Sequence, residues 1–100
     1  MTKSETLAKW ESDCATLRAA ILSGQRPTFV VRAIPDGNFW YIEIDGVPRH
    51  GDSPGAFTQA RSTDEIEPMA RDVTAVVLEV PHDSFDLSVR LEPDQTLTVG

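Results

Sequence analysis

Two histidines, one cysteine and a scatter of serines and acids are the groups in this 100-residue chain whose types could do chemistry. His50 and His82 fall in different predicted loops. Neither has a second histidine or cysteine at ligand spacing, so no metal site is expected. Ser53 and Ser84 stand near them in sequence, but a nucleophile and its base are matched in space and not along the chain. Both are read as loop and turn residues. No nucleophile-elbow, P-loop, dinucleotide or H-E-x-x-H motif is expected. Asp64, Glu65 and Glu67 open a predicted helix, where carboxylates meet the positive end of the macrodipole, which is reason enough for them. Cys14 lies on an apolar stripe and reads as a small buried hydrophobe. Phe39-Trp40-Tyr41 could stack nucleotide bases on an open sheet, yet no basic residues flank them. Trp40 is therefore assigned to the core. Phe39 and Tyr41 are assigned to contact with a partner, because amphipathic aromatics are favoured interface anchors. No catalytic residue and no cofactor are expected.

Charge sharpens the choice of partner. The total is −7, and it is unevenly placed. Residues 1–26 hold Lys3, Lys9, Arg18 and Arg26 against Glu5, Glu11 and Asp13, a net of +1. Residues 27–100 hold five arginines, no lysine and thirteen acids, a net of −8. Nucleic-acid affinity comes from cations displacing counterions, so a phosphate backbone would be repelled by this body. A basic protein would be attracted. The alternative is that acidity serves solubility alone. No apolar run approaches the ~20 residues that cross a bilayer, and no basic start followed by an apolar run marks a signal peptide. The expectation is a cytoplasmic protein. One cysteine permits no internal disulfide, so the fold must live on its hydrophobic core.

The elements that must position these groups can be read from periodicity. Thr2-x-x-Glu5 is a capping-box pattern, and Gly24 with Pro27 closes the segment it opens. Within it Leu7, Trp10, Cys14, Leu17 and Ile21 recur at helical steps, a stripe for helix packing or for dimerisation. From Thr28 the period changes to two. Residues 28–34 and 39–44 read as strands joined by the hairpin residues Pro35-Asp-Gly-Asn38. Five glycines and prolines make 45–55 a loop, and 56–60 a short third strand. Ser62-x-x-Glu65 caps a helix over 63–78, where Pro68 should delay the start or bend the first turn. Residues 85–92 alternate as the last strand, and Leu97 and Val99 could add a short edge strand.

The result is an α+β fold: an N-terminal amphipathic helix (1–25) followed by a β-β-β-α-β two-layer sandwich (26–100). Parity places Trp40, Ile42, Ile44, Phe85, Leu87, Val89 and Leu91 against the second helix. Arg32, Glu43, Asp86, Ser88 and Arg90 then face the other way, with Val30, Ile34, Phe39 and Tyr41 beside them. That second face is half apolar, and the N-terminal helix is expected to cover part of it.

Asp36-Gly-Asn-Phe-Trp-Tyr-Ile-Glu-Ile44 and Pro54-Gly-Ala-Phe-Thr-Gln-Ala-Arg-Ser-Thr-Asp-Glu65 resemble the hairpin and helix-opening segments of the HicB-like antitoxin family. Met69-Ala-Arg-Asp72 and Val80-Pro-His-Asp-Ser-Phe85 resemble its variants in actinobacteria and their phages. The resemblance spans residues 29–91 and implies a partial ribonuclease-H-like sandwich. It also implies a function: neutralising, or descent from a neutraliser of, a small basic ribonuclease toxin in a toxin-antitoxin system. Ala60 stands where the family has a small glycine, the 45–53 loop is longer, and only residues 93–100 follow where many members carry a DNA-binding module. Operator binding is accordingly not expected. The expected partner surface is Phe39, Tyr41, Glu43 and Asp45, with Asp64 and Glu67 nearby. The alternative is a phage or host regulatory adaptor that binds an unrelated protein, with the N-terminal helix available to make it a homodimer. An enzyme such as a degenerate nuclease would need clustered carboxylates for metal, and only Glu43 and Asp45 lie close on one strand face.

Overall fold

The structure, a computed structural model, describes residues 3–92. Its elements are α1 (Lys3–Leu22), β1 (Thr28–Asp36), β2 (Phe39–Asp45), β3 (Phe57–Ala60), α2 (Thr63–Leu78) and β4 (Asp86–Leu91). Alternation fixed the strands within a residue or two, because burial of one face demands a period of two. The four strands form one sheet in the order β3-β2-β1-β4, with β4 parallel to β1 and the other pairs antiparallel. This is the expected α+β arrangement. Leu97 and Val99 lie outside the described residues, as does Thr2 of the first capping box.

Helix ends follow from backbone accounting. After α1, Gly24 adopts φ +114°, the Gly24 N–H donates to Ile21 O and the Gln25 N–H to Ala20 O. This glycine-dependent stop satisfies two carbonyls the helix leaves orphaned. At α2 the expected capping box is not made: Ser62 Oγ makes no cap bond, and the Glu65 carboxylate accepts from the Arg61 N–H, one residue before the cap, at 2.9 Å. Pro68 neither delays nor interrupts α2, which begins at Thr63 and runs through it. Proline has no N–H, so it can offer none to the Asp64 carbonyl. The helix persists because its face of Ile66, Ala70, Thr74 and Leu78 is buried on the sheet.

The core lies on one side of the sheet. Phe29, Val31 and Ala33 from β1, Ile42 and Ile44 from β2, and Ala60 from β3 meet α2 there, with Phe85 fully buried edge-on to Phe29. The parity assignment agrees with this burial. β4 is the exception in degree: Val89 on the core-directed side is 40% exposed, since β4 is an edge strand that the helices cover only in part.

α1 does not cover the second face. Cys14 and Ile21 are buried in the same cluster as Phe29, Ile44 and Leu78, on the side of α2. Trp10 and Leu17 pack against that cluster from its rim, while Leu7 is 44% exposed and contributes little. Residue 25 therefore separates a helix from a body, and not two cores. Specific polar contacts choose this side. The Trp10 Nε1–H donates to Pro48 O at 2.9 Å, and the indole stands edge-on to His50. Arg18 donates through Nε to Leu78 O at 2.7 Å and through Nη2 to Glu79 Oε2 at 2.9 Å, closing the carbonyl end of α2 with a cation. Pairings between an indole and a distant carbonyl leave no periodic trace in the sequence, so the stripe alone could not choose a side.

The 46–56 loop is packed, not loose. Val47 and Ala56 are buried, and a Cβ on Gly55 would lie 1.9 Å from Pro48 O, so only glycine lets these two stretches of backbone meet. The loop thereby presents Pro48 and His50 to α1.

Candidate functional site

Among the described residues the groups that could do chemistry stay apart. The string Gly51-Asp52-Ser53-Pro54-Gly55 has the G-x-S-x-G spacing of a nucleophile elbow, which the motif reading passed over. Its setting is wrong for that chemistry, which needs a strand-to-helix turn and an imidazole at the hydroxyl. Ser53 instead exchanges backbone hydrogen bonds with His50 across a two-residue turn, and the His50 ring is turned to Trp10. His82 Nε2 meets Asp72 Oδ1 at 3.1 Å on the surface, and Ser84 Oγ donates to Pro81 O. No group of three His, Cys, Asp or Glu side chains is placed to hold a metal ion among the described residues. Burial raises the Cys14 thiol above its ordinary pKa, with a smaller opposing pull from Arg18, which makes it a poor nucleophile.

What the fold does assemble is the second face of the sheet. No described helix covers it. Arg32 of β1 is its hub: Nη2 lies 2.5 Å from Glu43 Oε2, Nε 3.0 Å from Asp45 Oδ2 and Nη1 3.6 Å from Glu92 Oε1. The Nε contact is off the N–H axis, so it is Coulombic attraction without a formed hydrogen bond. Burial works against the guanidinium charge, but Asp45, Glu43 and Glu92 outweigh it and the Arg32 pKa is raised. Arg90 stands beside Arg32 in the β1–β4 register, so three carboxylates meet two arginines and the cluster is acidic by one charge. Tyr41 Oη donates to the other Glu43 oxygen at 3.3 Å. Burial first, and then the Glu43 charge, push the Tyr41 phenol above its ordinary value.

Beside this cluster runs an aromatic strip. Tyr41 and Phe57 approach with centroids 6.3 Å apart, and Phe57 and Phe39 are 55% and 43% exposed. The register explains the grouping. Phe57 lies opposite Glu43, and Tyr41 opposite both Gln59 and Ile34, so all project to one side. An open groove of about 670 Å³ borders the strip, lined by Phe39, Tyr41 and Phe57 on the sheet and by Arg61, Glu65 and Met69 toward α2.

Of the six expected partner residues, the structure brings four together: Phe39, Tyr41, Glu43 and Asp45 lie along the uncovered side of β2. Asp64 and Glu67 are exposed on α2 but do not line the groove. Glu67 is held 2.5 Å from Arg71 Nε, and Arg71 in turn donates to His82 O and Phe85 O, on a flank of α2 away from Glu65 and Met69. A carboxylate at the start of a helix has no direction until the helix is packed. Phe57, Glu65 and Met69 went unrecognised as surface. Alternation in a four-residue strand cannot tell a core phenylalanine from an exposed one.

Compared with known proteins, the chain matches no protein-family model, no curated protein and no solved structure. No helix among the described residues is long and apolar enough to cross a membrane.

Proposed function

We propose that this chain is a non-enzymatic protein-binding module of antitoxin type, whose uncovered sheet face receives a small basic protein. The observation that carries the reading is the pairing on that face of an exposed aromatic strip with an acidic cluster. Aromatic anchors supply affinity by leaving water, and acids at their border steer and register a cationic partner. The resemblance to HicB-like antitoxins makes a basic ribonuclease toxin the specific candidate, held by occlusion. Direct nucleic-acid binding has no support from a lysine-free body of net charge −8.

The test is titration calorimetry with the small basic product of the neighbouring reading frame, alongside an assay of its ribonuclease activity. Association should weaken as salt rises from about 0.05 to 0.5 M. It should fall by roughly tenfold or more in Tyr41→Ala and Phe57→Ala, with release of nuclease inhibition. Asp45→Lys should slow association. Binding that ignores salt and all three substitutions would sink the proposal.

A further inference from the structure

The groove beside the aromatic strip does not lie over the sheet. It follows the outer edge of β3, with sheet-face residues on one side and α2 residues on the other. β3 has one neighbour, β2, and its other edge meets no described strand. The direction of its backbone groups follows from the ladder. The Ile44 N–H donates to Ala56 O, and hydrogen-bonded pairs alternate along an antiparallel ladder. Ile42/Thr58 and Trp40/Ala60 are then the next bonded pairs, and the N–H and C=O of Phe57 and Gln59 point outward. Sheets protect such an edge by shortness, a lysine, a proline or a bulge; β3 is short at four residues, but Phe57-Thr-Gln-Ala60 contains no lysine or proline and pairs in unbroken register.

We infer that the partner docks by laying an extended, lysine- or arginine-bearing segment antiparallel along β3, as a fifth strand of this sheet. The inference rests on the open-face reading above and names how that face is engaged. Side chains of an added strand would alternate across the edge. Those on one side reach Phe57 and Tyr41, and those on the other reach Met69 and the Glu65 carboxylate, with Arg61 at the end of β3 marking where the segment's cations must stop. Charge selects a cationic segment over a second copy of this chain. At the edge itself Arg61 and Glu65 offset one another, while Glu43 and Asp45 stand on the neighbouring strand and the body as a whole carries −8, so two copies meeting edge to edge would repel.

The experiment uses two synthetic eight-residue peptides, Val and Phe alternating with Lys in one and with Glu in the other, and follows backbone amide exchange by NMR. The Lys peptide should bind and protect the amides of Phe57 and Gln59, and the Glu peptide should not bind. Gln59→Pro removes an outward donor without touching the β2 ladder, so the sheet should keep its spectrum while affinity for the Lys peptide drops by roughly tenfold. Binding of the Lys peptide with Phe57 and Gln59 still exchanging overturns strand addition and leaves the open-face reading standing. Failure of the Lys peptide to bind, or equal binding of the Glu peptide, overturns strand addition to a cationic segment. The basic-protein titration then decides the open-face reading separately. Protection at Phe57 and Gln59 that grows with protein concentration and without peptide overturns the choice of occupant, by making it a second copy.

Discussion

On β2, Ile42 is wholly buried while Tyr41, one residue away, faces a ring that is 55% exposed, and the same contrast runs along β1. One side carries Phe29, Val31, Ala33, Ile42 and Ile44 under both helices. The other carries aromatics, an arginine hub and carboxylates under neither described helix. A pleated strand gives both sides the same backbone and the same number of positions, so the difference is made by what covers them. Had α1 lain on the second side, Phe57 and Tyr41 would be core, and the acidic cluster would be a buried ion network. Because α1 joins α2, one side supplies stability and the other carries the face proposed for recognition.

The sharpest way to break this contrast is on adjacent residues. Ile42→Ala should cost about 3 kcal/mol in urea unfolding, as a full core truncation with its cavity. Tyr41→Ala should cost under about 1 kcal/mol. Equal costs would mean that the second side is covered after all. Next in size is the helix that chose sides. Trp10→Ala, losing a half-buried indole and its bond to Pro48, should cost about 2 kcal/mol while sedimentation stays that of a monomer. Loss of a dimer with the fold unchanged would favour the helix-mediated homodimer.

Within the open side, Arg32→Met should cost about 1 kcal/mol, a figure discounted for the solvent that reaches the cluster. It strips the counter-ion from Glu43, and adding Glu43→Gln should recover part of the loss in a double-mutant cycle. A subtler effect is the alkaline limb of stability. The folded state holds the Tyr41 proton at pH values where the unfolded chain has begun to lose it, so stability falls as pH rises past the ordinary phenol value of 10.0. Tyr41 is the one tyrosine in the chain, and Tyr41→Phe should flatten that limb in denaturation curves taken on either side of it. The smallest effect belongs to the covered side. Glu79 caps α2 at φ +56°, a left-handed conformation glycine adopts freely, so Glu79→Gly should gain about 0.5 kcal/mol net of its exposed pair with Arg18.

Much of this was legible beforehand, for identifiable reasons. β1, β2, α2 and the inward set Ile42, Ile44 and Phe85 followed from periods of 2 and 3.6, which burial imposes on any half-covered element. Phe39, Tyr41, Glu43 and Asp45 could be grouped because they alternate along one strand, where spacing in sequence is spacing in space. Phe57 and Met69 could not join them, because their nearness depends on β3 pairing with β2 and on α2 crossing back. Glu67 was misplaced for the same reason: its direction depends on Arg71 reaching the carbonyls of His82 and Phe85, over ten residues on.

By itself, then, the sequence determined which residues alternate, where helices start and stop, and that the body is acidic and without lysine. These are local or additive properties, carried by neighbours in the chain. Only the tertiary structure decided which side α1 takes, that Arg32 gathers three carboxylates, and that β3 keeps an outward edge. Those depend on pairings between residues far apart in the chain, of Trp10 with Pro48 and Arg18 with Leu78, whose energy is realised only when the sheet and both helices are already in place.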